Sequence, residues 1–91
     1  QNYPNPFNAA TVITFSLDDA SAARIDTRLD VFNVLGQKIM TLHNGELPAQ
    51  GSFSFTWDGT DNEGTGVASG VYFYRLTMGD KNESRKMVLL K

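Results

Sequence analysis

Ninety-one residues suit one domain with a modest core. Hydrophobic residues at 41% and charged residues at 20% mark an ordinary folded protein rather than a disordered one. A net charge of −2, with scattered lysines and arginines, excludes the basic field that gathers nucleic acid. With no cysteine there is no disulfide, no thiolate metal site and no thiol nucleophile.

In chain order, Tyr3-Pro4-Asn5-Pro6 comes first. The residue before each proline is pushed to extended geometry, so this segment is expected along the edge of the fold, with Phe7 anchoring it. TVITFSL (11–17) alternates, with Ile13, Phe15 and Leu17 on one face and Val12, Thr14 and Ser16 on the other. That is the period of a half-buried strand. The Ala-rich patch at 20–23 is the one helical hint, and the Ser, Asp and Arg around it predict a loop. RLDVFNVL (28–35) and KIMTL (38–42) flank Gly36-Gln37, which predicts a tight reversal. SFSFTW (52–57) is the cleanest strand, with Phe53, Phe55 and Trp57 alternating with Ser52, Ser54 and Thr56. GVYFYRLTM (70–78) and SRKMVLL (84–90) follow, joined by a polar loop over 79–83. These strands, punctuated by Gly and Asp clusters, predict one all-β domain over 1–91, an immunoglobulin-like antiparallel β-sandwich of about seven strands.

Catalytic chemistry finds little support. His43, the only histidine, sits beside the turn signal Asn44-Gly45 and reads as an exposed loop imidazole rather than a general base or metal ligand. Asp18 and Asp19 are adjacent, so a strand would point them apart, and a paired acid/base site needs both facing one substrate. Asp58, Asp61 and Glu63 are weak calcium candidates. Their spacing departs from the calcium-loop pattern at Thr60 and Glu63, and Asp side chains also cap their own turns. Gly64, Gly66 and Gly70 lack the lysine and helix of a phosphate cradle and read as turn glycines. Trp57 invites a sugar-stacking reading, but its alternation with Phe53 and Phe55 places it in the core. The expected cofactor set is empty.

The last two strands hold the functional expectation. Tyr72, Tyr74, Leu76 and Met78 lie on one face of 70–78, with Val71 and Phe73 on the other. Met87 and Leu89 likewise oppose Val88 and Leu90. A strand apolar on both faces is usually covered on both, and a small sandwich has little to cover its outside. Either a partner meets that face, or upstream cargo or the Pro-rich opening covers it. Lys81, Arg85, Lys86 and Lys91 make the last hairpin basic, which fits steering of a partner and equally a protected strand edge.

Five segments, NYPNPFN (2–8), TVITFSL (11–17), VFNVLGQKI (31–39), WDGTDNEGTGVASGVYFYRL (57–76) and KMVLLK (86–91), occur in an order that resembles the type A C-terminal sorting domain of the type IX (Por) secretion system. That family is similar to the Ig-like domain of the flagellar hook-capping protein. The resemblance implies a non-catalytic address label on an exported Gram-negative bacterial protein. Cargo fused upstream would cross the periplasm and then the outer-membrane translocon, to be secreted or left on the cell surface. A sortase-like surface peptidase commonly removes such a domain. The chain is then expected to be a fragment whose signal peptide lies upstream and whose end is the end of the precursor. Recognition by the translocon is expected at Gly70, Tyr72, Lys86, Met87, Val88, Leu89, Leu90 and Lys91. A homodimer through edge strands is a further expectation. Two other classes compete: a carbohydrate-binding accessory module of a secreted hydrolase, and a purely structural Ig-like module.

Overall fold

The computed structural model describes residues 10–90. It contains β1 (Thr11–Asp18), β2 (Arg24–Phe32), β3 (Lys38–Pro48), β4 (Gln50–Trp57), β5 (Gly70–Met78) and β6 (Lys81–Leu89). β1 pairs with β4, while the larger sheet runs β3-β2-β5-β6, and every pairing is antiparallel. The all-β, immunoglobulin-like sandwich expected from the sequence is thus found, with six strands among the described residues. The expectations for Tyr3, Pro4, Pro6, Phe7 and Lys91 lie outside those residues.

Alternation builds the small sheet as read. Ile13 faces Phe55 and Phe15 faces Phe53 across the β1–β4 ladder. The Phe15 ring stands 5.8 Å from that of Phe53 and 5.9 Å from that of Phe55. On the wet face the hydroxyls of Thr14 and Ser54 meet at 3.0 Å, and those of Ser16 and Ser52 at 3.2 Å. Such cross-strand pairs are the unit of sheet stability, each worth about 0.2–1 kcal/mol.

Between the sheets lies a core of Ile13, Leu29, Val31, Trp57, Tyr72, Leu76, Met87 and Leu89. Trp57 is fully buried and meets the Tyr72 ring edge-on at 5.0 Å. Each of these rings also satisfies its polar atom. The Trp57 indole N–H donates to the Thr60 carbonyl at 2.8 Å, and the Tyr72 hydroxyl donates to the Ala68 carbonyl at 2.7 Å. Without those partners, burying an N–H or O–H would cost about 1–3 kcal/mol.

β3 departs from the sequence reading. It continues through Asn44-Gly45 to Pro48, where a loop was expected, because β2 begins at Arg24 and pairs with it as far as Pro48. Pairing along that length overrides the local turn preference of Asn-Gly. His43 is therefore a half-buried strand residue, not an exposed loop imidazole. Its ring packs 5.1 Å from Phe55, and its Nε2 lies 3.2 Å from the Gly45 carbonyl oxygen.

The turns follow their chemistry. In the β2–β3 reversal the Asn33 carbonyl accepts from Gly36 N–H, and Gly36 takes φ +80. A left-handed residue closing a three-residue loop in this way requires glycine or pays in strain. The β5–β6 turn is tighter than the polar loop expected over 79–83. Met78 pairs with Lys81, leaving only Gly79 and Asp80 between, with Gly79 at φ +61.

Candidate functional site

The β5–β6 hairpin divides the expected recognition residues by face. Tyr72, Met87 and Leu89 point inward and are buried. Lys86, Val88 and Leu90 point to solvent. Gly70 is half-buried opposite Leu89. The inward three can serve a partner only by holding the hairpin in shape.

The outward residues form a continuous surface with neighbours from other strands. Val71 lies directly opposite Val88, and Phe73 lies between Lys86 on β6 and Phe32 on β2. Val71 is 38%, Phe73 36%, Val88 54% and Leu90 68% exposed. A strand apolar on both faces therefore leaves one apolar face uncovered among the described residues, as its pattern suggested.

Two further exposed apolar residues stand at the turn after β2. Val34 and Leu35, at the tip of the β2–β3 reversal, are 67% and 78% exposed. The sequence predicts strand through Leu35 and a reversal at Gly36-Gln37; β2 instead ends at Phe32, and the turn closed by Gly36 N–H on the Asn33 carbonyl is centred on Val34 and Leu35. A shallow groove of ≈ 290 Å³ runs between this tip and β5, with Phe32, Val34, Phe73 and Arg75 among its walls.

The charge on this face is basic. Arg75 lies 4.9 Å over the Phe32 ring, a cation–π contact that holds both side chains down. Asp30 is 5% exposed and is consumed locally. Its carboxylate accepts from Arg28 Nε at 2.9 Å and from the Thr41 hydroxyl at 2.7 Å, with Lys38 Nζ 4.0 Å away. Asp30 was not singled out from the sequence, although Arg28 and Asp30 sit two apart, on one face of a strand. Lys86 and Arg75 are left facing solvent beside the apolar patch.

The weak calcium candidates are not assembled into a cation site. Asp58 accepts from the amide and hydroxyl of Thr60. Asp61 accepts from the amides of Glu63 at 2.9 Å and Thr65 at 3.0 Å, while Glu63 is exposed. Among the described residues no three His, Cys, Asp or Glu side chains are grouped to hold a metal ion. Both aspartates instead shape the loop that carries Asn62 to β3. There the Asn62 amide donates to the Ile39 carbonyl, and its side-chain oxygen accepts from the Thr41 amide.

The Asp19 titration departs clearly from the ordinary carboxylate range. The Asp19 carboxyl is held below it, first by the Ser21 hydroxyl and then by the Ser21 amide, both donating to the same oxygen. It lies at the far end of the sandwich, in a depression with Ser16, Ile25 and Lys81.

Comparison with known proteins gives one result at the level of family. The model of the FlgD Ig-like domain matches residues 5–82, which takes in β1 to β5 and the turn into β6. No curated protein and no solved structure matches the chain. The two-sheet antiparallel fold and the extent of that match place the chain in the FlgD Ig-like domain family.

Proposed function

We propose that this domain is a non-catalytic C-terminal sorting domain, which directs an upstream cargo through the outer-membrane type IX translocon to the cell surface or medium. The observation that carries the reading is the outward face of the terminal hairpin. Val71, Phe73, Val88 and Leu90 present apolar surface that no described element covers, with Lys86 among them. Burying such a face against a partner is favourable by about 25 cal/mol for each Å² removed from water. The basic rim of Arg75 and Lys86 favours an anionic contact on the machinery. Lys86 to Lys91 lie beyond the span matched by the family model, so this reading rests on the hairpin and on the five-segment resemblance.

The geometry also chooses the experiment. Deleting Lys86 to Lys91 from a cargo fusion removes Met87 and Leu89 from the core and so tests folding as much as recognition. Val88→Ser with Leu90→Ser changes only exposed side chains. The expected result is a fusion that keeps its melting temperature and strands its cargo in the periplasm. Full surface display of that folded variant would refute the proposal.

A second reading is a purely structural Ig-like module, which the family match accommodates equally well. It predicts no export defect in the same variant. A sugar-binding module would need a platform other than Trp57, whose ring is fully buried.

A further inference from the structure

Among the described residues two strands face four, so the smaller sheet leaves part of the larger one's inner face open. A cleft of ≈ 340 Å³ lies there between β1 and β6. Thr14, Phe15 and Ser16 form one side, and Tyr74, Glu83 and Arg85 are part of the other.

The strand edges beside this cleft and elsewhere are guarded unequally. Asn62 engages the edge of β3 through Ile39 and Thr41. β6 carries Lys81, Arg85 and Lys86, the charges that discourage edge pairing. β1 has neither protection. Among the described residues it pairs on one side only, in unbroken register with β4, and it contains no proline, lysine or bulge. Alternate backbone N–H and C=O groups therefore point away from β4 along an eight-residue strand.

We propose that the occupant of this edge is a second copy of the chain, with the two β1 strands pairing antiparallel about a two-fold axis. The charges are self-complementary in that arrangement. Asp18 is the only charge on β1 and stands at its end, so antiparallel pairing sets each Asp18 beside the uncharged start of the other strand. Parallel pairing would stack the two carboxylates. The cleft is centred on Phe15, near the middle of β1, so the same axis lays cleft upon cleft.

Glu83 and Arg85 complete the match. They lie two positions apart on β6, about 6.8 Å along the strand, and both line the cleft. Among the described residues neither makes a salt bridge within its own chain. The two-fold brings Glu83 of each copy towards Arg85 of the other, the reciprocity that defines an isologous interface. The inference is independent of the export reading.

The test is sedimentation velocity of the 91-residue chain across a concentration series, with amide hydrogen exchange at low and high concentration. The expected result is a reversible monomer–dimer equilibrium in which alternate β1 amides slow as dimer forms. Glu83→Arg or Arg85→Glu, both at exposed positions, each weaken the dimer roughly tenfold or more, because the symmetry counts every reversal twice. The E83R/R85E double variant restores it, and an equimolar mixture of the two single variants forms a heterodimer. A monomer at every concentration, the outcome if residues 1–9 take the edge, overturns the proposal. So does a dimer indifferent to the single reversals, or one whose β1 amides stay unprotected.

Discussion

Asp61 accepts from the amides of Glu63 and Thr65, and Asp58 serves Thr60 in the same way. Both carboxylates are spent on the backbone of the loop that the sequence offered as a calcium site. Asp61→Ala is expected to lower stability by about 1 kcal/mol, read as a lower urea midpoint at unchanged slope. Calcium titrated into the wild type should produce neither heat nor a change in melting temperature, and a clear shift would restore the ion reading. Asp19 gives the pH prediction. Its folded carboxyl titrates below the ordinary range because the Ser21 hydroxyl, then the Ser21 amide, favour the charged form. The unfolded chain therefore binds the proton first as pH falls. The contribution is complete above the unfolded carboxylate value and is lost as pH drops through the lower folded one. In an NMR titration, Ser21→Ala should move the Asp19 midpoint upward, and an unmoved midpoint would show that the hydroxyl is not the cause.

Strands β1 and β4 were legible because each has one wet face, so period two survives in the letters: Ile13, Phe15, Leu17 against Thr14, Ser16, and Phe53, Phe55, Trp57 against Ser52, Ser54, Thr56. β3 was legible only in its first half. Its register with β2 shifts between Leu29 and Asp30 and again between Val31 and Phe32, which breaks the alternation. Its second half contains Asn44-Gly45, whose local preference for a turn is overruled by pairing with Arg28 and Thr27. The β5–β6 hairpin was recognisable as strands, but its pattern could not say which apolar face was the core. That depends on β1 and β4 lying over Tyr72 and Leu89, a tertiary fact. The buried role of Leu89 leads to a prediction at this scale. Leu89→Ala is expected to cost about 2–4 kcal/mol, whereas Val88→Ala, at an exposed position one residue away, should change stability by less than about 0.5 kcal/mol. Equal losses at both positions would mean that the outward face is covered.

As a whole the molecule is a small sandwich with a net charge of −2 whose broader sheet turns a basic, apolar face outward at one end. Stability for a chain of this size is roughly 5–10 kcal/mol, so losing one core side chain of β6 consumes a large share of it. The proposed recognition through the β5–β6 hairpin would therefore require the whole sandwich: the outward residues are held in place by Met87, Leu89 and Tyr72 on the reverse of the same strands. The most direct measurement transfers all 91 residues to the C-terminus of an unrelated periplasmic reporter, in a bacterium with a type IX system and in a matched strain lacking its translocon. Protease accessibility on intact cells reads the reporter's location. The expected result is exposed reporter in the first strain and shielded reporter in the second. Reporter that stays shielded in both, or reaches the exterior equally well without the domain, would contradict the sorting function.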